Sequence, residues 1–184
     1  MAVVAVTALS SAGQFTLFAY FAPYYKQVLG ATPAQISALF LWFGIVGVVG
    51  NVLVARHIDR VGSARSVAVT LGCMAVSLGL WHLGVGLVAM ALVLVPWALG
   101  CFSSNSAQQA RLGVAAPALA PALIALNSSA MYLGQALGAA SGGAVVARQG
   151  FGPLHWIGLA WMLAAVALSL WAQARMMKGS TDGR

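Results

Sequence analysis

Asn127, Met131 and Gln135 recur at steps of four, so on a helix they form one line. A second line, Trp97, Cys101, Ser104 and Gln108, advances by four, three and four. Gln14 and Tyr20 stand in an earlier apolar stretch. Amides, a hydroxyl, a thioether and aromatic rings can hold a solute through hydrogen bonds and soft contact. They do not by themselves transfer protons or activate a nucleophile. The sequence has no carboxylate pair, no nucleophile–base set, no phosphate-cradling glycine loop and no cysteine–histidine spacing suited to a metal. The expectation is therefore no catalysis, no metal and no cofactor. Gln14, Tyr20, Trp97, Ser104, Gln108, Asn127, Met131 and Gln135 are the candidate lining of a substrate path, suited to neutral or weakly polar solutes. A plainer reading of the 127–135 line, as hydrogen-bond glue between helices, stands beside it.

The elements that must position these side chains are set by composition. Apolar residues make up 61% of the 184 and charged residues only 6%, with a mean hydropathy of +0.93. Soluble domains carry about a quarter charged residues, so this chain cannot cover a water-facing surface. A bilayer is the solvent that fits. About 20 apolar residues cross it, which leaves room for about six spans. Windows of about 19 residues place them at roughly 3–25, 34–55, 65–84, 86–109, 119–146 and 154–174. Thr32-Pro33 supplies a capping hydroxyl and a first-turn proline for the second span. The predicted fold class is all-α: a transmembrane bundle over 1–174 and a short basic tail over 175–184.

Polarity separates the spans. The first carries Thr7, Ser10, Ser11, Gln14 and Thr16, the fourth Ser103 to Gln109, and the fifth Asn127 to Gln135. Amides in hydrocarbon are costly unless they face protein or water. The first, fourth and fifth spans should therefore face an interior, with the greasier third and sixth toward lipid. That order hints at a three-plus-three repeat.

The net charge of +7 does not point to nucleic acid, because the basic residues sit in gaps between apolar runs rather than on a polar face. Arg56, Arg60, Arg65, Arg111, Arg175, Lys178 and Arg184 fall on one side, Lys26 and Arg148 on the other. This asymmetry predicts that both termini are cytoplasmic. The start of the chain lacks the basic region of a signal peptide. The acids, Asp59 and Asp182, lie outside the spans, so no intramembrane carboxylate is available for proton coupling. His82 and His155 fall near outer span ends, and Tyr24, Tyr25, Trp81 and Trp156 are candidates for interfacial anchors there. Cys73 and Cys101 read as packing residues.

Between the second and third spans runs Ala55-Arg56-His57-Ile58-Asp59-Arg60-Val61-Gly62-Ser63-Ala64-Arg65. This loop resembles the signature loop of the major facilitator superfamily. It departs from the family pattern in having Ala55 where a glycine opens it and Arg65 alone where two basic residues close it. Phe18 to Tyr24 followed by Gly30, then Gly44, Gly47, Gly50 and Asn51, resemble the start of the second half of sugar-efflux and drug:proton antiporter members. The likeness continues through Gln108-Gln109-Ala110-Arg111, Ala116-Pro117 and Ala125 to Gly143. Gly134, Gly138 and Gly142, four apart, form a smooth stripe for close helix packing, as Gly44, Gly47 and Gly50 do in the second span.

The resemblance implies the carboxy-terminal six-helix half of an efflux-type carrier for small organic molecules in the cell inner membrane, with Asp59, Arg60, Gly62 and Arg65 as a cytoplasmic latch. It implies that the first, second, fourth and fifth spans border a cavity. The lipid bilayer, a small-molecule substrate and a second six-helix half are the expected partners, the half being a second copy, a separate chain or a missing amino-terminal half. Left to its residues alone, Asp59 starts a turn and the arginines mark the cytoplasmic side. A non-transporting subunit or truncated remnant that only docks a partner is the alternative.

Overall fold

The computed structural model describes residues 2–181, with side chains from Ala2 to Arg175. Among these, all regular structure is helical: α1 Ala2–Phe18, α2 Phe21–Gln27, α3 Pro33–Val61, α4 Ser63–Gly79, α5 Leu87–Ala115, α6 Ala120–Gln149 and α7 Leu154–Thr181, with 3-10 turns at Trp81–Leu83 and Pro117–Leu119. Ala2–Gln27, Pro33–Val61, Leu87–Ala115 and Leu154–Arg175 are long and apolar enough to cross a bilayer. The 17 residues of α4 are apolar but span only ~26 Å. The 30-residue α6 is interrupted by amides and hydroxyls. The chain is an all-helical, multi-pass membrane protein.

Several expectations are corrected by the backbone. The first span is broken at Ala19–Tyr20, because Pro23 has no N–H for the carbonyl four residues earlier, that of Ala19. The stretch 55–65, expected as a loop, is helix on either side of Gly62. Asp59 and Arg60 sit in the exposed last turns of α3, and Arg65 lies in the first turn of α4. Gly62 makes the turn alone, at φ 88° and ψ 141°, a region open to glycine and strained for other residues. The start signal at Thr32 is a full capping box with Gln35. Past 174 the backbone of α7 stays helical to Thr181; the side chains of Lys178 and Arg184 lie outside the described residues.

Pro96 leaves α5 continuous. It cannot donate to the Leu92 carbonyl, and neighbouring helices engage the carbonyls on either side. Trp42 Nε1 donates to Ala91 O at 2.9 Å and Ser77 Oγ to Val93 O at 2.6 Å.

The helices pack as two trios. In one, α1 lies along both α6 and α7; in the other, α5 lies along both α3 and α4. Contact between α4 and α7 joins the trios at the back, whereas α1 and α5 scarcely touch. Glycine sets the closest approaches. Gly134, Gly138 and Gly142 receive the carbonyls of Ala8, Ala12 and Thr16 from α1, and Gly13 meets Gly158 of α7. In the other trio Gly47 faces the Phe102 ring and Gly50 the Leu99 backbone, while Gly100 faces Thr70 of α4. Gly44 was expected to share in this packing but does not: a methyl there would meet open space.

The core is centred on a cluster of aromatic rings, Phe21, Tyr24, Tyr25, Phe43, Trp81 and Trp97. Tyr24, Tyr25 and Trp81, considered above as interfacial anchors, are buried instead. Phe21 stacks on Trp81 with centroids 5.4 Å apart and meets Trp97 edge-on at 5.2 Å. Trp156, by contrast, is exposed.

Candidate functional site

On the side away from the α4–α7 contact, the gap between the trios is a pocket of ≈ 290 Å³ lined by α1, α3, α5 and α6. α4 and α7 contribute nothing to its wall. From α1 come Thr7, Ser10, Ser11, Gln14, Phe15 and Phe18, and from α5 Cys101, Phe102, Ser104, Asn105 and Gln108. Phe43 of α3 with Met131 and Gln135 of α6 complete it. The local reason is helical period. Residues 7, 10, 11 and 14 share one face of α1, while 101, 104, 105 and 108 share one face of α5.

Of the candidate path residues, the pocket brings together Gln14, Ser104, Gln108, Met131 and Gln135. Three lie elsewhere. Trp97 is fully buried among aromatic rings, on the side of α5 facing Phe21, Phe43 and Trp81. Tyr20 sits at the α1–α2 break, donates its hydroxyl to Ala139 O at 2.7 Å and packs on Gly142 and Gly143. Asn127 is completely buried and belongs to a chain of hydrogen bonds that ties the trios together.

That chain runs in one direction. Gln108 Nε2 donates to Val3 O and to Thr7 Oγ1, both at 3.1 Å. Thr7 Oγ1 donates to Asn127 Oδ1 at 2.6 Å, and Asn127 Nδ2 to Asn105 Oδ1 at 3.4 Å. Nearby, Val3, Val4 and Leu112 form a small apolar cluster, packed by Leu123 and Ala130 and separate from the main core. Val3, Val4, Leu123 and Leu112 belong to the first turns of α1 and α6 and the last turn of α5, with Ala130 two turns further into α6, so the trios meet at the end where α1 begins.

Close to that end Arg111, expected at a loop edge, lies inside α5 and is 2% exposed. Its guanidinium donates to Ser169 Oγ at 2.9 Å and Ser169 O at 3.3 Å. It links α5 to α7 across the trio boundary.

Thr7, Ser10, Ser11, Cys101 and Asn105, noted in the sequence but not among the path candidates, also line the pocket. Their spacing from Gln14 and Gln108 was the available signal. Phe15, Phe18, Phe43 and Phe102 carried none, since a phenylalanine facing a pocket and one facing lipid read alike in an apolar span.

The pattern of residues has relatives. The family model described as Major Facilitator Superfamily matches residues 3–182. The chain is 29% identical over 140 residues to "Inner membrane transport protein YdhP" of Escherichia coli, covering 76% of this chain and 36% of that protein. It is 31% identical over 159 residues to "Transcription regulatory protein OpdE" of Pseudomonas aeruginosa, covering 86% and 39%. To "Uncharacterized MFS-type transporter YtbD" of Bacillus subtilis it is 24% identical over 172 residues, covering 91% and 43%. The chain thus spans well under half the length of these relatives.

Proposed function

Because the chain belongs to the Major Facilitator Superfamily, we propose that it serves as one half of an efflux-type secondary carrier, moving small organic molecules across the cell inner membrane by alternating access. In this reading it has six spans in a three-plus-three repeat, with both termini cytoplasmic. α1 and α2 form one broken span, and α4 extends through its 3-10 turn. The α6 helix crosses despite its amides because they turn toward the pocket and α1. The turn bearing Asp59, Arg60, Gly62 and Arg65 acts as the cytoplasmic latch.

The carrying observation is the pocket itself: a wall of amides, hydroxyls and rings on four helices, three of which would be expensive to expose to lipid. A second six-helix body completes the wall, either a copy of this chain, a separate chain or an amino-terminal half. Exposed apolar faces suit that partner. On α3 these are Leu41, Ile45, Val48 and Val52, and on α6 Tyr132, Leu133 and Leu137.

The test begins with the protein mass of the purified particle, corrected for bound lipid. Two six-helix bodies and saturable flux in proteoliposomes are expected. Gln135→Leu should then lower flux while insertion is retained; unchanged flux would return Gln135 to packing. A second reading, a non-transporting subunit that docks a partner half, draws on the regulatory name of the OpdE relative. A two-body particle without flux would favour it.

A further inference from the structure

We infer that the pocket takes an uncharged aromatic molecule with a hydrogen-bond acceptor on its edge, and that Gln14, held by Cys101, reads that acceptor. This rests on the pocket being the substrate site.

The apolar share of the wall is an arc of four rings. Centroids lie 5.4 Å apart for Phe15–Phe18, 5.7 Å for Phe18–Phe43 and 6.2 Å for Phe43–Phe102. Rings so arranged offer faces and edges to a flat apolar guest. Among the described residues, no lysine, arginine, histidine, aspartate or glutamate lines the pocket. On this half of the wall a carboxylate guest would lose its water with no cation to meet it, and an ammonium would find no carboxylate. For a primary ammonium, which is strongly hydrated, the attraction to ring faces is smaller than the cost of losing its water. An uncharged guest escapes both costs.

The polar groups then specify its edge. Ser10 and Ser104 spend their hydroxyl protons on the Thr7 and Cys101 carbonyls, so they present lone pairs. The Cys101 thiol donates to Gln14 Oε1 at 3.1 Å. With the thiol donating, the amide oxygen is turned to Cys101 and the Gln14 N–H groups are left for an acceptor on the guest. Cys101 is thus a positioning residue that acts through Gln14.

Three congeners of one size separate the charge classes: benzamide, benzoate and benzylamine. Their binding to the assembled particle in nanodiscs is measured by ligand-observed NMR titration, with empty nanodiscs subtracted. Benzamide should bind saturably, and the two charged congeners at least ~tenfold more weakly, a difference of ~1.4 kcal/mol. Equal binding of all three, preference for a charged one, or no benzamide binding would overturn the assignment.

Gln14→Met should weaken benzamide by roughly threefold to tenfold, the worth of one neutral hydrogen bond. Cys101→Val should do much the same through Gln14, while Cys101→Ser, which keeps a donor, should restore affinity. Gln135→Met provides a second pocket variant should Gln14→Met fail to fold. Flux is read separately. Saturable benzamide binding without flux would sink the carrier reading and leave the ligand class standing, whereas flux favouring a charged congener would sink the ligand class and leave the carrier standing.

Discussion

α1 meets α6 and α5 in opposite ways. Against α6 it lies backbone on backbone: three glycines of α6 take up three carbonyls of α1, with Ser11 Cβ and the Tyr20 ring alongside. Against α5 it keeps a gap, bridged by amides, hydroxyls and a few apolar tips at the end where α1 begins and by the Cys101–Gln14 contact further along. A glycine seam has no slack, because a backbone cannot rotate out of the way. A hydrogen-bonded clasp can exchange its partners for water at small net cost. The difference teaches which contact of α1 is rigid and which can yield.

The seam should fail first. At Gly138 an added side chain would overlap the Ala12 backbone. Gly138→Val should therefore destabilise the protein by about 3 kcal/mol or prevent its accumulation, since overpacking against rigid backbone finds no relief. Thermal unfolding in detergent reads this directly. A Gly138→Val protein that melts with the parent would mean the two helices can slide apart.

The clasp should cost less. Thr7→Val leaves Asn127 Oδ1 and Gln108 Nε2 each short of a partner in a buried site, at about 1–3 kcal/mol. Its sharper signature is local. Amide hydrogen exchange should rise over the first turns of α1 and α6 while the glycine seam around 134–142 stays protected. Uniform loosening of both regions would erase the distinction between them.

Much of this division was legible in the sequence. The amides and hydroxyls of the first, fourth and fifth spans marked three of the four helices that line the pocket, and the 134–138–142 stripe marked the seam. What was not legible turned on which face of a helix looks where. Trp97 shares a helical line with Ser104 and Gln108, yet two turns along that line the gap is filled by the rings of Phe21, Phe43 and Trp81. Asn127 shares a line with Met131 and Gln135, but only contact with Thr7 reveals it as clasp rather than wall. Arg111 counted as a loop charge because Ser169, 58 residues away, could not be seen as its partner.

Tyr20→Phe tests the seam at its far end. It removes one hydrogen bond, to Ala139 O, and keeps the ring on Gly142 and Gly143. A loss of about 1 kcal/mol is expected, without the exchange signature of a clasp variant. A larger loss would show that the break at Ala19–Tyr20 depends on this hydroxyl.

The smallest effect separates glycines that look identical in sequence. Gly44, Gly47 and Gly50 share a spacing of three, yet only the latter two press on α5. Gly44→Ala should therefore leave the chain unchanged or raise its stability by about 0.5–1 kcal/mol, since alanine favours an exposed helix interior over glycine. A bulkier change asks a different question of the same position. Gly44 lies in an apolar groove of α3 with Leu41, Ile45 and Val48, part of the face assigned above to a second six-helix body. If that body covers the groove, Gly44→Leu should lower the mass of the purified particle while leaving the melting of the single chain alone. If lipid covers it, the added leucine meets only acyl chains and the particle is unaltered. The glycine that the folded chain can spare is thus the one that reports what lies against it.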